Sequence, residues 1–131
     1  MRNYFAKSFI GLCFLLITIL VSSQPNGKYC GNVVGNDVNI NFDSTKNLSN
    51  ISANIYGEQS TCNNEKYTYH FQNSSIEMSN NPKDCLNLVL KKYNLCPCPP
   101  QIKYNAQTNS MYVNTDMGDI ELDSCQSKRN I

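Results

Sequence analysis

Apolar and polar residues alternate along most of this chain with a period of two. The clearest run is residues 37–43, where Val38, Ile40 and Phe42 fall on one side and Asn39 and Asn41 on the other. That is the pattern of a β-strand with one buried face. It recurs at 27–34, at 48–56 with Ile51, Ala53 and Ile55 facing inward, at 66–71, at 76–78, and again at 102–105, 110–115 and 119–123. Thr61 and Cys62 begin a further strand that Asn63-Asn64-Glu65 is expected to interrupt. Between the runs stand Gly35-Asn36, residues 44–47, 57–60 and 73–75, rich in the residue types that suit tight turns.

One stretch breaks the period. Cys85, Leu86, Val89, Leu90 and Tyr93 recur at steps of three and four, so residues 82–93 are expected to form a helix with one apolar stripe. Asn81 and Pro82 suit a helix start. Asp84 in the first turn and Lys91 and Lys92 in the last complement the helix dipole. Pro97 ends any continuation. The stripe is expected to cover the sheet. The predicted fold is therefore mainly β, of the α+β kind: an antiparallel meander of about eight short strands, curled or closed into a small barrel, with the one helix over an end.

The first residues change the expected setting. Residues 1–8 carry Arg2 and Lys7, residues 9–21 carry no charge, and Ser22-Ser23 follows, so 1–23 reads as a secretory signal peptide. Its apolar run of 13 residues falls short of the roughly 20 that span a bilayer, so no membrane span is expected after cleavage. A single domain is expected over 24–125, followed by a polar tail at 126–131. Removing Arg2 and Lys7 leaves nine basic against ten acidic residues, which gives no electrostatic grip on nucleic acid.

Cleavage also removes Cys13. Cys30, Cys62, Cys85, Cys96, Cys98 and Cys125 remain, an even set that reads as three disulfides of an exported protein, with 15 possible pairings. Cys96 and Cys98 flank Pro97, and in extended chain they are poorly placed to bond each other. Each is expected to reach elsewhere, tying the segment to the helix or to the chain ends. A zinc site is disfavoured, because Cys-Pro-Cys lacks the usual knuckle spacing and His70 is the single histidine. Asn47, Asn50 and Asn73 head Asn-x-Ser sequons and are candidate glycosylation sites. The expected location is extracellular or the lumen of the secretory or endolysosomal pathway.

The stretch Gly27-Lys28-Tyr29-Cys30-Gly31, followed by alternating strands, resembles the opening of lipocalin-type (calycin) barrels, in which Gly-x-Trp begins the first strand. Tyr29 stands where that Trp would be, and the chain contains no tryptophan. The resemblance implies a small barrel fold.

Little in the chain points to catalysis. There is no Gly-x-Ser-x-Gly turn and no phosphate-binding glycine loop, and oxidised cysteines are not nucleophiles. Asp116, Asp119, Glu121 and Asp123 form an acidic cluster; the last three share one face of a strand, and they lack the order of a calcium loop. No cofactor and no metal is expected. Tyrosine is the most suggestive residue type, and Tyr67, Tyr69 and Phe71 are candidate ligand or contact residues, lining a cavity or carrying a surface. The expectation is a secreted, non-catalytic binding protein for a small apolar ligand or an extracellular protein partner. A protease inhibitor presenting residues 96–100 as a rigid loop is the alternative, and a hydrolase using the acidic cluster is the third.

Overall fold

The computed structural model describes residues 24–33 and 35–125, so the expected signal peptide at 1–23 and the expected polar tail at 126–131 lie outside the described residues. Eight antiparallel strands follow one another around a closed barrel: β1 Gly27–Val33, β2 Asn36–Asp43, β3 Leu48–Ile55, β4 Glu58–His70, β5 Ser75–Met78, β6 Gln101–Asn105, β7 Ser110–Thr115 and β8 Gly118–Ser124. Among the described residues a single helix, α1 Cys85–Lys92, joins β5 to β6. Each strand pairs with its neighbours in sequence, and β8 returns to β1 through Tyr29↔Ser124 and Cys30↔Asp123. The expected meander closes fully, which removes every free sheet edge.

The period-two pattern sets the inside of the barrel. Ile40 and Phe42 of β2, Ile51, Ala53 and Ile55 of β3, Met111 of β7 and Leu122 of β8 are buried, while their sequence neighbours, apart from the buried Ser110, are exposed or half-buried. The interior splits into two ends. At one end Tyr29, Phe42, Tyr67, Tyr69 and Tyr104 stack edge to face, with Phe42 and Tyr67 centred 4.9 Å apart and Tyr29 and Tyr104 6.2 Å apart. Such pairs add about 0.5–1.5 kcal/mol each beyond area burial. Asn109, in a left-handed turn with φ 50°, accepts hydrogen bonds from the hydroxyls of Tyr29 at 2.7 Å and Tyr104 at 3.0 Å through its Oδ1. This aromatic floor blocks one end of the barrel. Helix α1 lies over the other.

Three expectations about the elements need correction. β4 does not break at Asn63-Asn64-Glu65; it runs unbroken for 13 residues. The register against β3 slips by one there, Asn64 adopts φ 58°, and its N–H is taken by the Oδ1 of Asn50 at 2.9 Å. The three polar residues therefore make a bulge, which bends the strand without ending it. The helix begins at Cys85 and not at Pro82. Asn81 captures the N–H of Lys83 through its side chain and that of Asp84 through its carbonyl, so this turn satisfies the donors before the helix starts. Asp84 is extended at φ −65°, ψ 147°, and makes no side-chain cap bond. Turn boundaries also shift: Asn36 pairs with Val33 and belongs to β2, and residues 58–60, expected in the turn at 57–60, open β4.

The cysteines also depart from expectation at one pair. Cys30 bonds Cys125, across 95 residues, and Cys62 bonds Cys85. Cys96 bonds Cys98 directly. The expectation assumed an extended chain around Pro97; the backbone bends from Pro97 to Pro99 and brings the two Cα atoms to 4.7 Å, inside the disulfide range.

Gly31 is required where the barrel closes. A Cβ there would stand 2.7 Å from the carbonyl oxygen of Glu121 and would meet the side chain of Leu122. Gly31→Ala is expected to lower stability by about 1–3 kcal/mol in urea denaturation. An unchanged midpoint would mean that β1 and β8 do not approach this closely.

Candidate functional site: an apolar cavity beneath the helix

Side chains shrink towards the helix end. Along β2 the inward residues run Phe42, Ile40, Val38; along β7 they run Met111, Val113, Thr115; along β4 they run Tyr67, Cys62, Ser60. The aromatic end is filled by the larger members of each series. The smaller members leave a cavity of about 80 Å³ beneath α1, bounded by Val38, Ala53, Ile55, Val113 and Ile120 on the strands. Leu86, Val89 and Leu90 of α1 close it from above, and Leu95 and Pro100 close it from the segment that follows. Its few hydroxyls come from Ser60 and Thr115, and that of Thr115 already donates to the carbonyl of Gly118 at 2.8 Å. A space so lined holds water poorly and apolar atoms well.

The apolar stripe of α1 is thus the roof of the cavity, as its spacing predicted, while Leu88 points away and is 53 % exposed. The roof is fixed at its first residue by the Cys62–Cys85 disulfide, whose Cys62 lines the cavity. At its far end it is held by weaker contacts: Glu58 accepts hydrogen bonds from Tyr93 and from Lys92, the latter at 3.1 Å, and the rings of Tyr56 and Tyr93 sit 6.2 Å apart. These bonds hold the Glu58 carboxyl below its usual range, that from Tyr93 most strongly. An exposed pair of this kind holds the helix only loosely. The helix is pinned at one end and latched at the other.

Glu65 is 7 % exposed and lies beside the Cys62–Cys85 bond, with the N–H of Leu86 in the first turn of α1 acting to lower its carboxyl pKa. Nothing in the periodicity marked Glu65, because it enters from the bulge in β4. The three groups Cys62, Glu65 and Cys85 come within 4.8 Å, but both sulfurs are committed to the disulfide.

The residues singled out from sequence fall as follows. Tyr67 is buried in the aromatic floor and Tyr69 is half-buried against Tyr104, while Phe71 is 54 % exposed in the following turn. None of the three lines the cavity: their alternation is real, but they lie at the filled end of β4. Asn47 and Asn73 are exposed in turns at that same end, and Asn50 is exposed on β3. Asp119 and Glu121 are exposed and Asp123 half-buried on the outer, convex face of β8, with Asp119 bonded to Asn114 at 2.9 Å. They do not converge on an enclosed site. His70 is half-buried, and its Nε2 stands 2.6 Å from Glu77 Oε2. The 96–100 segment packs against the barrel: the Cys96 carbonyl accepts from the N–H of Asp116 at 3.1 Å, and Pro100 is buried in the cavity wall.

Among known proteins, no family model, no curated protein and no solved structure matches the chain. Among the described residues no helix is long and apolar enough to cross a membrane.

Burial raises the Glu65 carboxyl above its ordinary value, and the Asp84 charge adds to this, against the lowering by the Leu86 N–H. A carboxyl raised in the folded state stabilises the fold where it is protonated, and that contribution is lost as the pH rises through the folded value. Glu65→Gln keeps an acceptor for Leu86 and carries no charge. Its melting temperature is expected to exceed that of the wild type at neutral pH, and the gap to close in acid. A variant no more stable than wild type at neutral pH would contradict this placement of Glu65.

Proposed function

We propose that this chain is an exported binding protein for a small apolar molecule, held beneath α1 at the open end of the barrel. The observation that carries this is the cavity. At roughly 24 cal/mol per Å³, an unfilled space of about 80 Å³ costs about 2 kcal/mol. A single larger side chain at Ala53 or Val38 would remove that cost. The space is small beside the pockets that enclose drug-sized ligands, so it suits a few carbon atoms, or the end of a chain that continues outwards. Entry would come from the latched end of the helix, where the contacts are weakest.

Export is supported by the disulfides, which are chemistry of an oxidising compartment. A protein partner is the second reading. It is favoured by Leu88, Tyr56 and Met117, all more than half exposed, on α1 and on the hairpin tips between β3 and β4 and between β7 and β8.

Ala53→Leu places extra carbons in the cavity. Calorimetric titration with hexanol is expected to show saturable binding to the wild type and none to Ala53→Leu, while the variant melts at the wild-type temperature or up to several degrees higher. Equal binding by both proteins would place the ligand elsewhere, and no binding to the wild type would remove the proposal.

A further inference from the structure

Three reactive groups stand together at the fixed end of α1. The sulfurs of Cys62 and Cys85 and a carboxylate oxygen of Glu65 all lie within 4.8 Å of one another, and among the described residues no other three cysteine, histidine or acidic side chains come so close. The two sulfurs are not alike. Cys85 is half-buried and opens α1, where the N–H groups of a helix start favour a thiolate. Cys62 is 3 % exposed and faces the apolar cavity, where a bare thiolate has nothing to solvate it.

Glu65 is buried as well, yet it lines a surface hollow with Lys66, Ser79 and Asp84, through which it can exchange a proton with solvent. Burial holds that proton on to higher pH, the Leu86 N–H opposes this, and the Asp84 charge adds to it. On the β3 side its neighbour is the Ser49 hydroxyl, which donates to the Glu65 carbonyl and carries no charge. An accessible sulfur at a helix start, a buried partner and an acid beside both suit thiol–disulfide exchange.

We propose that the Cys62–Cys85 bond is exchanged with an aliphatic dithiol, with Glu65 as the proton donor, and that its reduction releases the roof of the cavity. One thiolate of the dithiol attacks the Cys85 sulfur. The bond to Cys62 breaks, the Cys62 sulfur takes the electron pair, and Glu65 gives it a proton. The second thiolate then attacks the dithiol's own sulfur in the mixed disulfide and expels Cys85 as thiolate. The dithiol leaves as a cyclic disulfide, and two electrons have passed to the protein. The dithiol's two protons pass to solvent, from which Glu65 regains its own. With the bond broken, α1 has lost its covalent tie, and its far end keeps only the exposed contacts of Glu58 with Lys92 and Tyr93. Release of the roof rests on the cavity being a ligand site; the exchange step does not.

The test is graded reduction of the folded full chain by dithiothreitol, followed by acid quench, alkylation and mass spectrometry of the cysteine peptides. Dividing the rate at Cys62–Cys85 by the rate at Cys30–Cys125 in the same molecules cancels the pH dependence of dithiothreitol itself. In wild type this ratio is expected to be about tenfold higher at pH 5 than at pH 8, where Glu65 has lost its proton, and to be level in Glu65→Gln. After reduction of that pair the circular dichroism is expected to persist, and hexanol to bind about tenfold more weakly, as a roof closed about a tenth of the time would give. Reoxidation with oxidised glutathione is expected to restore the binding. Resistance of Cys62–Cys85 to reduction until the chain unfolds, a ratio that is flat in wild type or falls equally in Glu65→Gln, or hexanol binding unchanged by reduction would each overturn the proposal. Failure of hexanol to bind the oxidised protein would remove the ligand reading, with the release of the roof, and leave the exchange step to stand on the rates.

Discussion

A sheet that closes on itself encloses a volume, and something must fill it. That requirement organises this protein. Eight short strands make a barrel whose two ends are treated differently. One end is packed with tyrosine and phenylalanine rings, among which Asn109 draws together the hydroxyls of Tyr29 and Tyr104. The other end is lined by valine, alanine, isoleucine and threonine, and these do not reach across. An amphipathic helix therefore covers it, and the cavity is the volume that the helix roofs without filling. The candidate site is a consequence of how side-chain size is graded along β2 and β7.

The cross-links follow the same logic. Cys30–Cys125 ties the first strand to the end of the last, beside a seam of only two paired residues. Closing a loop of 95 residues restricts the unfolded chain by about 4–5 kcal/mol in the chain-entropy account. Cys62–Cys85 fixes the start of the roof to the barrel wall, and the buried Glu65 lies beside that bond. Nothing comparable holds the other end, where the latch is a pair of exposed contacts to Glu58. The roof is thus held covalently at its first residue and by exposed hydrogen bonds at its last. Cys96–Cys98 joins near neighbours, so it shapes its own segment and does little for the rest.

Much of this was legible in the residues. Alternation in β2, β3, β7 and β8 gave the inward faces, and the three- and four-residue steps from Cys85 to Tyr93 gave the helix and its buried stripe. Three things were not legible. The bulge in β4 depends on Asn64 taking a left-handed conformation with Asn50 as partner, and that pairing exists only once β3 lies alongside. The Cys96–Cys98 bond depends on a bend that proline content alone does not specify. Glu65 reads as an ordinary surface acid until the helix arrives above it. The gradient of size, Phe42 to Val38 and Met111 to Thr115, was present in the sequence all along. It acquires meaning only when antiparallel pairing aligns the small ends.

The space beneath α1 is lined almost wholly by apolar side chains and roofed by the helix, so it should stay dry. Xenon under pressure tests it most directly, because xenon enters apolar voids and little else. Methyl resonances of Ile51, Val89, Val113 and Ile120 should shift saturably with xenon pressure, while those of Met111 and Leu122 deeper in the barrel stay nearly still. Shifts that rise linearly and equally at every methyl would show that no such cavity exists.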